Sequence, residues 1–408
     1  MRWGFFDDDN TISGPLDAMT AALILGGGGA RAAYQAGVLR AVAELLPDQT
    51  LNPFPIICGT SAGAINALSI AGHEGTFHAR VAGLLEIWRN LRAQDVYRTD
   101  FLGVARNSLG LLASLIRGGC PPGRTLALLN NAPLRSLLER HMNFDRIGTA
   151  IAEGHLEAVC ITALHYGSGQ SVSFFQGRRD NWERNRRCGL RTELNLEHLM
   201  ASTAIPLLFP ATRIGDHHYG DGALRQLKPL SPALHLGARR LFVVGVSDNF
   251  RHKPSAPPTS SPPSVGHILG QLLNSAFIDA IESDLETMET INALAAAIRP
   301  ERRQAPLIAH LAPVEALCIS PSEPIDKIAA QHYRELPYSV RLFLRAIGAT
   351  TRSSGASAAS YLLFEPGFCG KLLDLGYRDA LDCKDRIRAF FRLPEAADKP
   401  DAIRVGTP

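Results

Sequence analysis

The pentapeptide Gly59-Thr60-Ser61-Ala62-Gly63 constrains this chain more than any other stretch. Before it, Phe54, Pro55, Ile56, Ile57 and Cys58 read as a short buried strand; after it, residues 62–71 read as a closely packed helix. A G-x-S-x-G turn in that setting makes a nucleophile elbow, in which the backbone reverses sharply at the serine and flanking glycines let strand and helix approach without a Cβ clash. Ser61 would stand at a helix N-terminus with its hydroxyl held up to a substrate. The same five residues also fit an ordinary strand-to-helix turn, and the pentapeptide by itself leaves both readings open.

The elbow sits in an alternating pattern. Ala21, Ala22, Leu23, Ile24 and Leu25 read as a first strand that runs into Gly26-Gly27-Gly28-Gly29, followed by a helix over 32–46. Strand, glycine loop, helix, strand, elbow, helix is the opening of an α/β fold with a parallel sheet. Further strands are expected at 156–162, 171–175, 241–246 and 314–319; the unbroken apolar run of the third suits a strand covered on both faces. Residues 72–151 carry a helical pattern. The stretch 251–264, rich in Pro and Ser, reads as a surface loop inside one domain, and it is followed by a long amphipathic helix with Ile268, Leu272, Phe277, Ile281, Leu285, Met288 and Ile291 on its apolar stripe. The expected organisation is a tail over 1–20, a catalytic domain over 21–330 and a mostly helical extension over 331–408.

A chain of 408 residues that is 46% hydrophobic and 20% charged can bury a large core. Its formal net charge of +3 is too small to argue for a nucleic-acid partner. Seven cysteines, odd in number and without a C-x-x-C pair, suggest neither a disulfide framework nor a zinc site. The N-terminus carries one arginine and then three aspartates, the wrong order for a signal peptide, and no stretch reaches the roughly 18 to 20 apolar residues of a membrane span. The expectation is a cytoplasmic protein, soluble or attached at the periphery of a membrane.

An elbow serine needs an oxyanion hole and a base. Consecutive glycines after a strand can gather backbone N–H groups into one concavity, so Gly27, Gly28 and Gly29 are candidates for the oxyanion hole, with Arg31 as a supporting charge. Gly27-x-Gly29-x-x-Ala32 also fits a dinucleotide fingerprint, but the strand at 54–58 ends without the acidic residue that would hold a ribose. For the base, His235, His252, His267, His310 and His332 all follow the serine, as a conventional Ser-His-Asp esterase would require, yet none stands in a recognisable setting. Asp221, between Gly220 and Gly222, is a carboxylate presented in a tight turn; taken alone it also fits an ordinary turn aspartate.

Four blocks taken together resemble the patatin-like phospholipases: the glycine loop with Arg31 and residues 34–39, the elbow at 59–63, the stretch Ala201-Ser202-Thr203-Ala204-Ile205-Pro206-Leu207-Leu208-Phe209-Pro210, and Asp221-Gly222-Ala223. They occur in that family's order over roughly 20–250. The resemblance implies a three-layer α/β/α fold with a mainly parallel central sheet and an added helical C-terminal segment. It further implies a Ser-Asp dyad without a catalytic histidine, in which Ser61 is the nucleophile, Asp221 the base and the amides of Gly27, Gly28 and Gly29 the oxyanion hole. The implied substrates are phospholipids or other acyl esters, with no metal and no cofactor. One departure stands out: the family usually has Gly after the loop arginine, where this chain has Ala32, and an alanine would be strained there if the position needed positive φ. A non-catalytic lipid-binding protein of the same fold is the alternative outside enzymes.

Three looser features remain. His217 and His218 precede Asp221, and on an extended segment at most one of them faces the site. Arg178, Arg179, Arg184, Arg186, Arg187 and Arg191, with Trp182 among them, either meet lipid phosphates or lie on a solvated hairpin loop. Residues 101–116, with arginines at the edges of an apolar stretch, fit an interfacial lid or a core-facing helix equally well.

Overall fold

A computed structural model describes residues 20–100, 127–247, 264–298, 313–349 and 355–394, with isolated positions 103, 110 and 262. The expected N-terminal tail, most of the Pro/Ser-rich loop and nearly all of the expected lid lie outside the described residues.

Ten strands form one sheet: β1 (Ala21–Leu25), β2 (Ile56–Thr60), β3 (Ala158–His165), β4 (Gln170–Gly177), β5 (Trp182–Arg184), β6 (Arg187–Arg191), β7 (Thr212–Ile214), β8 (His217–Asp221), β9 (Arg240–Val244) and β10 (Glu315–Ile319). The main order is β10-β9-β1-β2-β3-β4-β6-β5, and the five strands from β10 to β3 are all parallel. Their apolar runs are buried residue by residue because both faces are covered, which is why alternation is absent from their sequences. On one face Leu23, Leu25, Ile57 and Val159 join a large core with helices α1 (Ala33–Leu45), α2 (Ala62–Gly72) and α3 (Phe77–Asn90). On the other, Ala22, Ile24, Cys58 and Cys160 meet Leu230, Ala233, Ile281 and Leu285.

The expected three layers, mainly parallel centre and helical C-terminal segment are all present. Helix Pro366–Asp382 crosses α1 closely: a Cβ on Gly37 would strike the Leu373 carbonyl, and one on Gly376 would strike the Tyr34 carbonyl. Several boundaries move. The elbow strand runs to Thr60, two residues further than the sequence pattern indicates, and β5 to β8 are short strands without a clear pattern of their own. The amphipathic helix is not one regular helix. It runs over Val265–Asn274, passes through a π-helical turn at Ser275–Asp279 and continues as Ala280–Ala297. Phe277, Ile281, Leu285 and Met288 are buried while Ile268, Leu272 and Ile291 are exposed, and at about 3.6 residues per turn Ile268 and Leu272 already fall off the face that carries Ile281.

Register along β3 positions the site. Its first five residues pair with β2 and end at Thr162, opposite Thr60. The next three pair on the same edge with β8, beginning with Ala163 opposite Asp221. The residue that follows Thr60 and the last residue of β8 are thereby brought to one point at the C-terminal end of β2.

Candidate active site

Ser61 has φ 55° and ψ −129°, a conformation that a residue with a side chain adopts only when its surroundings enforce it. The enforcement is visible. A Cβ on Gly59 would strike the first turn of α2, and one on Gly63 would strike the carbonyls of Leu25 and Gly26, so only glycines let the turn close. The Ser61 carbonyl accepts from the Ala64 N–H at 2.8 Å, and the Ser61 N–H donates to Ser202 Oγ at 3.0 Å. Ser202 is fully buried and donates in turn to the Thr162 carbonyl at 2.7 Å. This is an elbow in geometry as well as in sequence.

Asp221 is fully buried beside it. Its Oδ1 accepts from the Ala223 N–H at 3.0 Å, and its own N–H donates to the Ala204 carbonyl at 2.9 Å. Burial raises the carboxyl from 3.8 to about 7, while the Ser61 hydroxyl and the Ala223 N–H hold it back. Oδ2 is buried and has no hydrogen-bond partner among the described residues, while the Ser61 hydroxyl lies near enough to draw the carboxyl's pKa down. Catalytic pairs commonly tighten only when substrate arrives. Gly222 is packed against the Thr162 backbone, where no side chain would fit.

The glycine loop lies against the serine: a Cβ on Gly27 would come within 3.0 Å of the Ser61 Cβ. Among the described residues the N–H groups of Gly28 and Gly29 have no protein acceptor, which leaves them available to an oxygen atom. The loop is held from behind by the Gln35 amide, which donates to the Gly26 carbonyl at 2.8 Å. Gln35 accepts from Asn66 at 2.9 Å, and Asn66 accepts from Trp88 Nε1 at 2.8 Å. Ala32 adopts φ −66° and ψ −10°, so the alanine carries no strain there. Arg31 also reaches the C-terminal segment. Its guanidinium bonds Ser360 Oγ at 2.7 Å and Asp326 Oδ1 at 2.5 Å and stacks over the Tyr361 ring, fastening the loop to the C-terminal segment.

Two sides of the elbow differ. On the α2 side, a largely apolar cavity of about 700 Å³, open mouth included, reaches Ser61; its walls include Ile65, Leu84, Trp88, Leu138, Ile205 and Phe209, with His141 among the lining residues. On the opposite side, Gln226 accepts from Thr60 Oγ1 at 2.6 Å and donates to Thr162 Oγ1 at 3.1 Å. Sequence reasoning singled out neither Gln35, Asn66 and Gln226 nor His141. The available signal was polarity out of place, since Gln35 and Asn66 are lone amides within apolar helical runs.

The other expected features lie elsewhere. His217 and His218 are exposed, and His217 packs edge-on against His165 at 4.7 Å. His235 stacks on Trp182 at 4.2 Å, and His332 meets Glu335 at 2.7 Å. His252 and His310 are outside the described residues. Among the described residues no histidine bonds Ser61 or Asp221, and no group of three or more His, Cys, Asp and Glu could hold a metal ion. No helix of the described residues is long and apolar enough to cross a membrane.

A family model described as patatin-like phospholipase matches residues 23–234, more than half of the chain. Among solved structures, VipD from Legionella pneumophila is similar at 10% identity, over 92% of this chain and 89% of that chain, with a TM-score of 0.30. The type III effector protein ExoU is similar at 14% identity, over 81% of this chain and 62% of that chain, with a TM-score of 0.28. No curated protein matches the chain.

Proposed function

The chain belongs to the patatin-like phospholipase family, and on that premise we propose that it is a serine acyl hydrolase that cleaves ester bonds of phospholipids or lysophospholipids with a Ser61–Asp221 dyad. The observation that carries this reading is the meeting of a strained, buried elbow serine with a buried carboxylate at the end of an apolar cavity. An acyl chain occupies the cavity. As Ser61 Oγ attacks the ester carbonyl, its proton passes to the Asp221 carboxylate, and the amides of Gly27, Gly28 and Gly29 hold the oxyanion. The departing alcohol takes that proton. A water then gives a proton to Asp221 and attacks the acyl-enzyme, releasing the fatty acid and the Ser61 hydroxyl. A carboxyl raised to about 7 suits this work better than an ordinary aspartate, because its affinity for the proton is closer to what the transfer requires.

Purified protein incubated with a mixed lipid extract tests the reading, with products identified by mass spectrometry. Fatty acid release by the parent protein is expected, and none above background by Ser61→Ala or Asp221→Asn, each folded by circular dichroism. Near-parental hydrolysis by either variant overturns the dyad. Failure of a fluorophosphonate to label Ser61 favours a non-catalytic lipid-binding protein. Because His141 also lines the cavity, a catastrophic loss on replacing it alone would point to a conventional triad.

A further inference from the structure

Strand register places the arginine-rich hairpin at the same end of the sheet as the candidate site. Gly220 pairs with Leu164, Leu164 with Ser171, Ser171 with Arg187, and Arg187 with Arg184, so these five residues form one row across β8, β3, β4, β6 and β5. At about 4.8 Å per strand, the row carries the chain from the neighbour of Asp221 to Arg184 in roughly 19 Å. The β5–β6 turn, with Arg186 exposed at φ 63°, projects beyond the row. Of the six arginines between 178 and 191, Arg184, Arg186 and Arg187 stand at this end, while Arg178 and Arg179 follow Gly177 at the opposite end, where it pairs with Ala158, and Arg191 pairs with Phe175 in mid-sheet. Arg191 and Asp180 are 3.8 Å apart, both well exposed, and Arg187 Nε donates to Ser231 Oγ at 3.2 Å.

The same end carries apolar side chains turned to solvent. Tyr166, just past β3, is 44% exposed with its hydroxyl against Gly220. Leu224 and Leu227, three and six residues after Asp221, are 39% and 65% exposed. Guanidiniums and exposed leucine and tyrosine at the sheet end that carries Ser61 have the chemistry of a surface that settles on charged headgroups and dips apolar groups among them.

We propose that this end of the sheet, from Tyr166 and Leu227 to Arg184 and Arg186, docks on an anionic bilayer and delivers the Ser61 site to lipid. The proposal rests on the reading that the substrate is a lipid ester, but its test does not require turnover.

Full-length Ser61→Ala protein is sedimented with vesicles of phosphatidylcholine containing phosphatidylserine, and with vesicles of phosphatidylcholine alone. Binding is expected to favour the anionic vesicles and to weaken with added salt. Adding Arg184→Ala and Arg186→Ala should weaken it about thirtyfold, at roughly fivefold per charge near the surface. The control removes the same charge from the other end of the sheet through Arg178→Ala and Arg392→Ala, exposed residues that follow Gly177, paired with Ala158, and Phe391, packed on Phe54 before β2. It should bind as the parent does. Absence of vesicle binding, equal binding to both vesicle types, or equal losses in the two double variants would each overturn the proposal. In protein with Ser61 restored, the Arg184 and Arg186 changes should slow hydrolysis of anionic vesicles and leave a soluble monomeric ester untouched. If the soluble ester is not cleaved at all, the acyl-hydrolase reading fails while the vesicle result stands.

Discussion

The two faces of the sheet at the end of β2 are built to opposite plans. On the α2 face, Ile65, Leu84, Trp88 and Phe209 leave a space that reaches Ser61. On the opposite face, Gln226 ties the Thr60 and Thr162 hydroxyls together, immediately before the elbow and beside the Asp221 loop, in the wall of a smaller cavity that Cys58, Ala223 and Phe277 also line. One face can accommodate an apolar chain. The other fixes the last strand residues before the nucleophile, so that the strained φ at Ser61 is maintained whether the space is filled or not. Separating the two duties lets chain selectivity and reactivity vary independently.

The largest test of that separation fills the open face. Ile65→Trp, one turn along α2 from Ser61, should lower kcat/KM for long-chain esters by about a hundredfold while short-chain esters lose little. A uniform loss across chain lengths would show that the space is not an acyl site.

Asp221 stands between the two faces and ties activity to pH. In the proposed mechanism the carboxylate form accepts the Ser61 proton, so hydrolysis should rise with pH through about 7 and level off above it. Stability runs the other way. With a folded pKa near 7 and an unfolded value near 3.8, the native state binds more protons between those values, so stability falls as pH rises through that window. Asp221→Asn should therefore stabilise the protein at pH 8, on the order of 2 kcal/mol, with the gain vanishing near pH 4. Denaturant melts at both pH values measure this; a variant less stable than its parent at pH 8 would mean that the buried carboxylate is already compensated.

On the Gln226 face, Gln226→Leu removes both amide bonds and leaves two threonine hydroxyls to find other partners. The expected result is a fall of about tenfold in kcat that is the same for short and long esters, with KM unchanged. Gln226→Glu keeps one acceptor and should restore part of it. A loss that depends on chain length would merge the two faces into one device.

These outcomes also bear on how much of the site could be read from the chain. The elbow, the glycine loop and Asp221 were legible because each needs glycines at fixed places around a reactive side chain, and that need leaves a local signature. Gln226 was not, since a glutamine five residues after Asp221 gains meaning only when β3 register brings Thr60, Thr162 and Asp221 to one corner. The parallel strands were visible as apolar runs, whereas β5 and β7 are three residues long and β6 and β8, as long as β1, carry polar residues and glycine in place of an apolar run. The stripe on the 265–297 helix is narrower than its apolar residues suggest, because at about 3.6 residues per turn Ile268 and Leu272 fall off the face that carries Phe277, Ile281 and Leu285.

Ala32 gives the smallest and sharpest test, because it lies in the loop that both faces share. The family habit of glycine at this position suggested a backbone that an alanine would strain. The observed φ of −66° is one that alanine adopts freely, and its Cβ is fully buried where the loop passes into α1. Ala32→Gly should therefore destabilise the fold by about 1 kcal/mol, through added chain entropy and a lost methyl contact, and leave kcat for short and long esters alike unaltered. A gain in stability, read from the shift in urea midpoint at constant slope, would show that the alanine is strained after all and that the glycine loop is the flexible element between a selective face and a rigid one.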